Sequence, residues 1–368
     1  MPKKVLIVYT NYGTGHFMAA KAIEEYLINH YPDYKVELLD PLSFSRPIIN
    51  RFFAKMGKLV ATKFRKFRLK MYQKKMYQNY FYKSRFDTFC IWLFWTKKLK
   101  RKLLKMNPDI IISTQVGPTG LLASHKQFLQ AKVISVFTDY GIHRMYTSPH
   151  ELIDMFCVPT KDIQNQMIKL GISKHKITVT GIPVRLNFLE NKINKKSLIR
   201  QYQLVEKQPI LLFLCGGGLG YDNAFVYFKE LLKSDYSFSY LFIAGQNKQL
   251  FTSAKKLAGQ YKKTGKIFEY VKEIDQLMKI SDLVIGKPGG IMTSEALNLG
   301  IPVCAIAPIP GQEIQNAIFI EKNQFGLYIK NIQEFRIFLD QLKNKQIKLS
   351  YYSNNIKKKF ENFSFDIM

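Results

Sequence analysis

The chain has 368 residues, of which 47% are hydrophobic and 14% aromatic, a composition that excludes an intrinsically disordered protein. Its length predicts two domains. The 56 Lys and Arg outnumber the 27 Asp and Glu, and the formal net charge of +29 predicts an anionic partner: nucleic acid, an acidic membrane surface or a phosphate-bearing ligand.

Three features bear on where the protein resides. The cysteines are far apart and form no Cys-x-x-Cys pair, which is typical of reduced thiols in the cytoplasm: Cys90, Cys157, Cys215 and Cys304. The N-terminal apolar run "VLIVY" is too short for a signal peptide. No window approaches the roughly 20 apolar residues of a transmembrane helix. We therefore expect a peripheral protein at the cytoplasmic face of the cell membrane.

The first domain, predicted for residues 1–185, alternates apolar strands with helices. Residues 5–9 form a strand, "TNYGTGH" forms a glycine loop, and a helix begins at Phe17, where apolar residues recur at helical spacing. Further strands are predicted at residues 35–40, 109–114, 132–139 and 155–160. Continuous apolar strands between helices are typical of a parallel sheet covered on both faces, so the fold class is α/β and doubly wound.

A second domain of the same kind is predicted for residues 209–349, after a Lys- and Asn-rich linker at residues 186–208. Its strands are the segments "PILLFLC", "SYLFIAG", "KIFEYV" (266–271), "DLVIG" and "IPVCAIAP". Residues 350–368 are expected to form a C-terminal helix.

Residues 46–105 interrupt the first domain with 19 Lys and Arg against one acid, Asp87. Because codon bias would spread charge evenly, this clustering favours a function. Interleaved aromatic, aliphatic and basic residues are typical of amphipathic helices in a lipid interface, although nucleic-acid binding and a solvated basic face remain alternatives. The residues predicted to bind anionic lipids are Arg51, Lys55, Lys58, Lys63, Arg65, Lys66, Arg68, Lys70, Lys74 and Lys75.

Each domain begins with a glycine loop between its first strand and first helix. The loops contain Gly13 and Gly15 in "NYGTGH", and Gly217 and Gly218 in "CGGGLG". Glycine permits close backbone approach, and the N-terminus of the following helix attracts an anion. Neither loop matches the dinucleotide or P-loop fingerprint, and tight strand-to-helix packing explains a single such loop equally well.

A third glycine turn, "GKPGG", makes the predicted ligand more specific. Gly289 and Gly290 lead into a helix whose first N–H groups are expected to be free for a phosphate oxygen. These are the N–H groups of Ile291, Met292 and Thr293. The carboxylate of Glu295, close behind them, suits the two hydroxyls of a ribose, although an acid there also offsets the helix dipole.

After the next strand, Gln312 and Glu313 are expected at the same edge of the sheet. An adjacent amide and carboxylate donate and accept hydrogen bonds, as the recognition of sugar hydroxyls requires. Phosphate, ribose and hexose sites in succession predict a nucleotide-sugar ligand.

Five motifs, in order along both domains, carry a family resemblance: "GTGHFMAAKAI", "TDYGIHRMY", "VTGIPVR", "GKPGGIMTSEALNLGIPV" and "PIPGQEIQNA". The chain resembles the diacylglycerol glycosyltransferases, which include bacterial processive diacylglycerol glucosyltransferases and plant monogalactosyldiacylglycerol synthases. The resemblance implies a GT-B fold, in which two Rossmann-like domains face across a cleft. A UDP-sugar would occupy the C-terminal domain and diacylglycerol the N-terminal one.

The same resemblance assigns roles to residues of the second domain. Gly217 and Gly218 would lie near the diphosphate, and the Val271 backbone near the uracil. Glu295 would hold the ribose, while Gln312 and Glu313 would contact the hexose. The family inverts the anomeric configuration in one displacement.

Inversion requires a base for the acceptor hydroxyl and dipolar groups for the leaving diphosphate. The resemblance supports His16 as the base, since a pKa of about 6.5 suits that role. The alternative is that His16 donates a hydrogen bond across the loop or to the diphosphate. Asp139 either orients His16 or the acceptor, or is itself the base, and His143 is a further candidate. The sequence contains neither Asp-x-Asp nor a His/Cys cluster with metal spacing, so no bound metal is expected.

The favoured function is transfer of a hexose, glucose or galactose, from a UDP-sugar to diacylglycerol. Alternatives with the same fold are an N-acetylglucosaminyltransferase acting on a polyprenyl-linked acceptor and a non-hydrolysing sugar epimerase. A nucleic-acid-binding protein is the alternative from a different class. Nucleic acid is not expected as a partner, because it would leave Glu295, Gln312 and Glu313 unexplained.

Overall fold

The computed structural model describes residues 2–10, 14–44, 97–124, 129–142, 150–189, 193–215 and 223–360. The chain divides into two compact units, chiefly Met1–Leu186 and, for the second, Asn187–Ile309 with Glu313–Asn362. Several predicted functional residues lie outside the described residues: Gly13, His143, Gly217, Gly218 and the lipid-binding positions from Arg51 to Lys75.

The first unit is built on a six-stranded parallel sheet. Its strands are β1 (Lys4–Val8), β2 (Lys35–Leu39), β3 (Ile110–Ser113), β4 (Lys132–Val136), β5 (Met155–Val158) and β6 (Ile177–Val179). Their order across the sheet is β2-β1-β3-β4-β5-β6. The connections therefore reverse direction between β1 and β3, which creates a topological switch point at the carboxyl ends of these two strands.

The second unit contains another six-stranded parallel sheet. Its strands are β7 (Ile210–Leu214), β8 (Ser239–Ile243), β9 (Thr264–Phe268), β10 (Leu283–Gly286), β11 (Val303–Ile306) and β12 (Gly326–Ile329). The order β12-β11-β10-β7-β8-β9 is that of the Rossmann fold, with its switch point between β7 and β10. The two backbones approach closely there, because a Cβ on Gly286 would lie 2.8 Å from the Leu214 carbonyl oxygen.

Helices connect successive strands in both units. The first unit contains α1 (Thr14–His30), α2 (Lys97–Met106), α3 (Val116–Ser124) and α4 (Lys161–Lys169). The second contains α5 (Lys195–Gln201), α6 (Asn223–Lys233), α7 (Lys248–Ala258), α8 (Ile274–Ile280), α9 (Gly290–Asn298), α10 (Gln312–Lys322), α11 (Ile332–Lys343) and α12 (Leu349–Lys359). Asparagines cap α7 and α11: Asn247 accepts from the Leu250 N–H and Asn331 from the Glu334 N–H.

The central strands are buried on both faces, as their continuous apolar runs predict. Every side chain from Val5 to Val8 in β1 is at most 2% exposed. All five residues of β8 are buried as well. The predicted doubly wound α/β fold, with helices covering parallel sheets, is thereby confirmed.

The last part of the basic segment predicted at residues 46–105 belongs to the core of the first unit. Residues 97–105 lie in α2, whose Leu99 and Leu103 are fully buried in one cluster with Leu6 and Ile111. The other positions of α2 include six bases that are exposed or half-buried: Lys97, Lys98, Lys100, Arg101, Lys102 and Lys105. This helix therefore anchors a basic surface to the sheet.

No helix in the part of the chain that the structure describes is both long enough and apolar enough to cross a membrane.

Some element boundaries differ from the sequence prediction. The strands β6 and β12 were not predicted, because they are edge strands of only three and four residues, and two side chains in each are partly exposed. The helix α1 begins at Thr14 instead of Phe17, which places Gly15 and His16 in its first turn. The strand β9 ends at Phe268, so Val271 lies in the loop that follows it.

We expect Leu103→Ala to lower the free energy of unfolding by about 3 kcal/mol, since truncation of a fully buried leucine leaves a cavity. Leu104→Ala is the matched control, because the neighbouring Leu104 is 48% exposed. Its effect is expected to stay within about 0.5 kcal/mol. Urea denaturation followed by circular dichroism measures both, and equal losses would contradict the packing of α2.

Candidate active site

His16 lies at the switch point of the first sheet, in the first turn of α1. Its Nδ1 atom is 2.8 Å from the carbonyl oxygen of Thr114, the residue directly after β3. Because a carbonyl oxygen only accepts hydrogen bonds, Nδ1 carries a proton, and in the neutral ring Nε2 is left as the acceptor. The contact thus selects the tautomer that a general base requires.

Two threonine side chains contribute to this arrangement. The Thr138 hydroxyl oxygen lies 3.1 Å from His16 Nδ1. The Thr114 hydroxyl donates to the His16 carbonyl oxygen at 3.0 Å, which connects the end of β3 to α1. Asp139, only 8% exposed, directly follows Thr138 beyond the end of β4. Thr138 begins the "TDYGIHRMY" motif but was assigned no role, and Thr114 belongs to none of the five motifs. Each is about a hundred residues from His16, and only the fold brings them together.

His16 is half-buried, and the desolvation of its ring lowers its pKa below the ordinary value of 6.5 because it disfavours the imidazolium ion. The hydrogen bond with the Thr114 carbonyl oxygen acts in the opposite direction but is the smaller effect. The partial positive charge at the start of α1 also disfavours a cation. At neutral pH the ring is therefore neutral and able to take a proton.

The predicted donor-site residues within the described ranges follow the carboxyl ends of strands in the second sheet. Val271 follows β9, the "GKPGG" turn follows β10, and Gln312 begins α10 after β11. Since β10 lies between β7 and β11, the loops after these strands are neighbours at one edge. This edge is where open α/β sheets bind ligands.

Gly289 caps the N-terminus of α9 with φ −67° and ψ 144°, values that any residue adopts. A Cβ added to Gly289 would meet no heavy atom of the described residues within 4 Å. Glycine is thus required here neither by the backbone conformation nor by packing within the chain. Its missing side chain suits a ligand that approaches the N–H groups at the start of α9.

The prediction that the Thr293 N–H group is free is wrong. It donates to the Gly289 carbonyl oxygen at 2.9 Å, because this bond closes the first turn of α9. The N–H groups of Gly290, Ile291 and Met292 precede that bond. Thr293 offers its hydroxyl instead, which is buried and has no hydrogen-bond partner among the described residues.

Two carboxylates flank this helix start. Glu295 lies in the second turn of α9 and is only 7% exposed. Glu313, in the first turn of α10, forms an ion pair with Lys287 of the "GKPGG" turn at 2.7 Å. In the described part of the chain, no three His, Cys, Asp or Glu side chains are grouped as a metal site.

Solved structures establish the class of fold. Acinetobacter baumannii MurG matches with a TM-score of 0.65 and 13% identity, covering 98% of this chain and 96% of its own. Anabaena HepE in complex with UDP-glucose matches with a TM-score of 0.56 and 13% identity, covering 97% and 95%. The two Rossmann-like units are therefore those of the GT-B glycosyltransferase fold, as predicted.

Sequence comparisons then establish the family. Residues 16–184 match the model for monogalactosyldiacylglycerol (MGDG) synthase, and residues 211–366 match the glycosyltransferase family 28 C-terminal domain. A processive diacylglycerol beta-glucosyltransferase of Bacillus cereus is 30% identical over 349 residues, covering 94% of this chain and 87% of its own. Its counterpart in Bacillus cytotoxicus is 31% identical over 335 residues, covering 90% and 83%. This chain belongs to the diacylglycerol glycosyltransferase family.

We expect the His16 ring to titrate with a midpoint below pH 6.5, because burial disfavours its cation. Since the folded state binds this proton less readily than the unfolded chain, the stability contributed by His16 is present above pH 6.5 and is lost as the pH falls through the folded-state pKa. An NMR titration of histidine-labelled protein measures the midpoint, and His16→Gln identifies the signal. A midpoint at or above 6.5 would contradict the desolvation of the His16 ring.

Proposed function

We propose that this protein transfers glucose from UDP-glucose to diacylglycerol, with inversion at the anomeric carbon. The observation that carries the proposal is the similarity, over 90% or more of the chain, to relatives named processive diacylglycerol beta-glucosyltransferase. That name specifies diacylglycerol as the acceptor and glucose as the sugar of those relatives. The two sheet edges described above supply groups suited to each half of this reaction.

The edge of the second sheet supports a nucleotide-sugar donor. The N–H groups at the start of α9 bind the diphosphate. The missing side chain of Gly289 leaves room for the diphosphate to approach them. The carboxylate of Glu295 accepts hydrogen bonds from the ribose hydroxyls, and the Val271 backbone contacts the uracil. The side chains of Gln312 and Glu313 contact the hexose.

The arrangement around His16 supports a single displacement. His16 Nε2 takes the proton of the acceptor hydroxyl as that oxygen forms its bond to the anomeric carbon. The bond between this carbon and UDP breaks, and its electron pair leaves with the diphosphate. The N–H groups and the dipole of α9 stabilise the developing charge, and the proposal assigns no resident metal ion.

Glycolipid synthesis requires contact with lipid, and we place the protein on anionic lipids at the cytoplasmic face of the membrane. The 19 Lys and Arg within residues 46–105 support this, as do the exposed bases of α2. Each base near an anionic surface contributes about 1 kcal/mol, so a few suffice for peripheral binding.

Galactose is the second candidate sugar, because the model that matches residues 16–184 is that of monogalactosyldiacylglycerol synthase. That match covers the unit of His16 and none of the donor-binding edge after β9, β10 and β11. The glucosyltransferase relatives span both units. Glucose is therefore the favoured sugar.

The test of this function is transfer of labelled sugar into vesicles that contain diacylglycerol and an anionic phospholipid. We expect purified protein to label the lipid from UDP-glucose, and not from UDP-N-acetylglucosamine. Label from UDP-galactose alone would change the sugar and keep the reaction. Absence of lipid label from every donor would refute the proposal, and a ladder of products would show repeated addition of sugar.

The identity of the base is tested by turnover in the same assay. His16→Ala is expected to lower kcat by about 100-fold or more, because proton removal then depends on water. His175→Ala, which removes an exposed histidine of the same unit, is the matched control and should leave kcat unchanged. A folded His16→Ala variant with near-normal turnover, together with an inactive Asp139→Asn variant, would assign the base to Asp139.

A further inference from the structure

The Glu313 carboxylate is held on both of its oxygens. The Ile309 N–H donates to Oε2 at 2.7 Å, and the Lys287 ammonium lies 2.7 Å from Oε1. A glutamate otherwise rotates broadly about its terminal torsion. Two contacts of this length, one on each oxygen, leave the carboxylate a single orientation and aim its remaining lone pairs in fixed directions.

The helix that carries Glu313 also holds the turn that carries Lys287. Asn316, one helical turn further along α10 and fully buried, donates from Nδ2 to the Pro288 carbonyl oxygen at 2.9 Å. Within the turn, the Gly289 N–H donates to the Lys287 carbonyl oxygen at 2.8 Å. The position of Lys287 is therefore set before any ligand arrives. We refer to Lys287, Glu313 and Asn316 together as the loop brace.

Burial strengthens the charged contact of the loop brace. The Glu313 side chain is 15% exposed and that of Lys287 is 30% exposed, whereas the Lys343–Asp235 pair of the same unit has side chains 48% and 83% exposed. Exposed pairs of the latter kind contribute little, because water screens them. A partly buried pair with an added backbone hydrogen bond restrains its members more strongly.

This restraint bears on the choice of sugar. Glucose and galactose differ in the direction of one hydroxyl, and a carboxylate that rotates freely can follow either one. A carboxylate fixed in advance accepts a hydrogen bond from this hydroxyl in one epimer only. With the other epimer the hydroxyl and the carboxylate are left without that bond, and the cost of unpaired polar groups discriminates against it. Preorganisation of this kind also saves the entropy of ordering the side chain on binding.

We propose that Lys287 is a positioning residue that sets the preference between hexose epimers by holding the Glu313 carboxylate in one orientation. The inference rests on the proposed function, in which Glu313 contacts the hexose. Lys287 acts through Glu313, and the nucleotide part of the donor binds without it.

The experiment measures dissociation constants for UDP, UDP-glucose and UDP-galactose by calorimetry. In Lys287→Met, the ratio of the galactose to the glucose constant is expected to fall by about tenfold, the value of one hydrogen bond to a charged group. Any loss of attraction between the ammonium and the diphosphate changes the constants of both sugars by the same factor, which the constant for UDP measures, and therefore cancels in this ratio. Lys343→Met, which removes the exposed ion pair, is the matched control and should change none of the three constants.

A double-mutant cycle separates an indirect role of Lys287 from a direct one. If Lys287 acts through Glu313, the combination of Lys287→Met with Glu313→Gln loses no more sugar preference than Glu313→Gln alone. Additive losses would overturn the inference, as would an unchanged preference in Lys287→Met or a wild-type protein that binds both sugars equally. If Lys287→Met does not fold, Lys287→Ala, which also removes the donor to Glu313, takes its place in the cycle.

Failure of the proposed function gives a different result. Wild-type protein that binds none of the three ligands would remove the donor site altogether. A wild type that binds and prefers one sugar, beside a Lys287→Met variant with the same preference, would overturn only the role of Lys287. Glu295→Ala is the positive control for the nucleotide part, because loss of the ribose contact should weaken UDP itself.

Discussion

All strands of a parallel sheet end at the same edge, and the position of every polar group assigned to the chemistry depends on this constraint. In the first sheet it brings the residues after β3 and β4, Thr114 and Thr138, to His16 in the helix after β1. In the second sheet it places the segments after β10 and β11 side by side, and the segment after β9 at the same edge two strands beyond β10's neighbour β7. The apolar side chains of central strands such as β1 and β8 are buried, and these strands define where each loop begins.

At both edges the N-terminus of a helix lies beside the proposed chemistry. The partial positive charge is the same, but it serves a different purpose at each edge. At the start of α1, the partial positive charge and the burial of His16 keep a base unprotonated. At the start of α9, similar N–H groups beside Gly289 are proposed to attract the negative charge of a diphosphate. In the proposed mechanism, the first helix start keeps the attacking side free of a bound proton and the second stabilises the charge of the leaving group.

The strands and turns that were predicted from the sequence are those with a short, continuous pattern of residues. Apolar runs such as that of β1 predicted strands, and the turn at Gly289 predicted the start of α9, although the N–H group of Thr293 proved to be bonded within the helix. Edge strands such as β6 were not predicted because they are short: β6 has only three residues, two of them partly exposed. The contact between Lys287 and Glu313 was not predicted either. It joins two loops, and whether two loops meet depends on which strands are neighbours in the sheet, which the spacing of residues along the chain does not show.

The boundary between the two units has a consequence for how such enzymes diversify. The two family models that match the chain end at residue 184 and begin at residue 211, on either side of the division between Leu186 and Asn187. The groups proposed to select the sugar all follow that division, whereas His16 and its threonines precede it. If the proposed roles hold, exchange of chain segments near this boundary is expected to change the donated sugar and to leave His16 and its threonines in place.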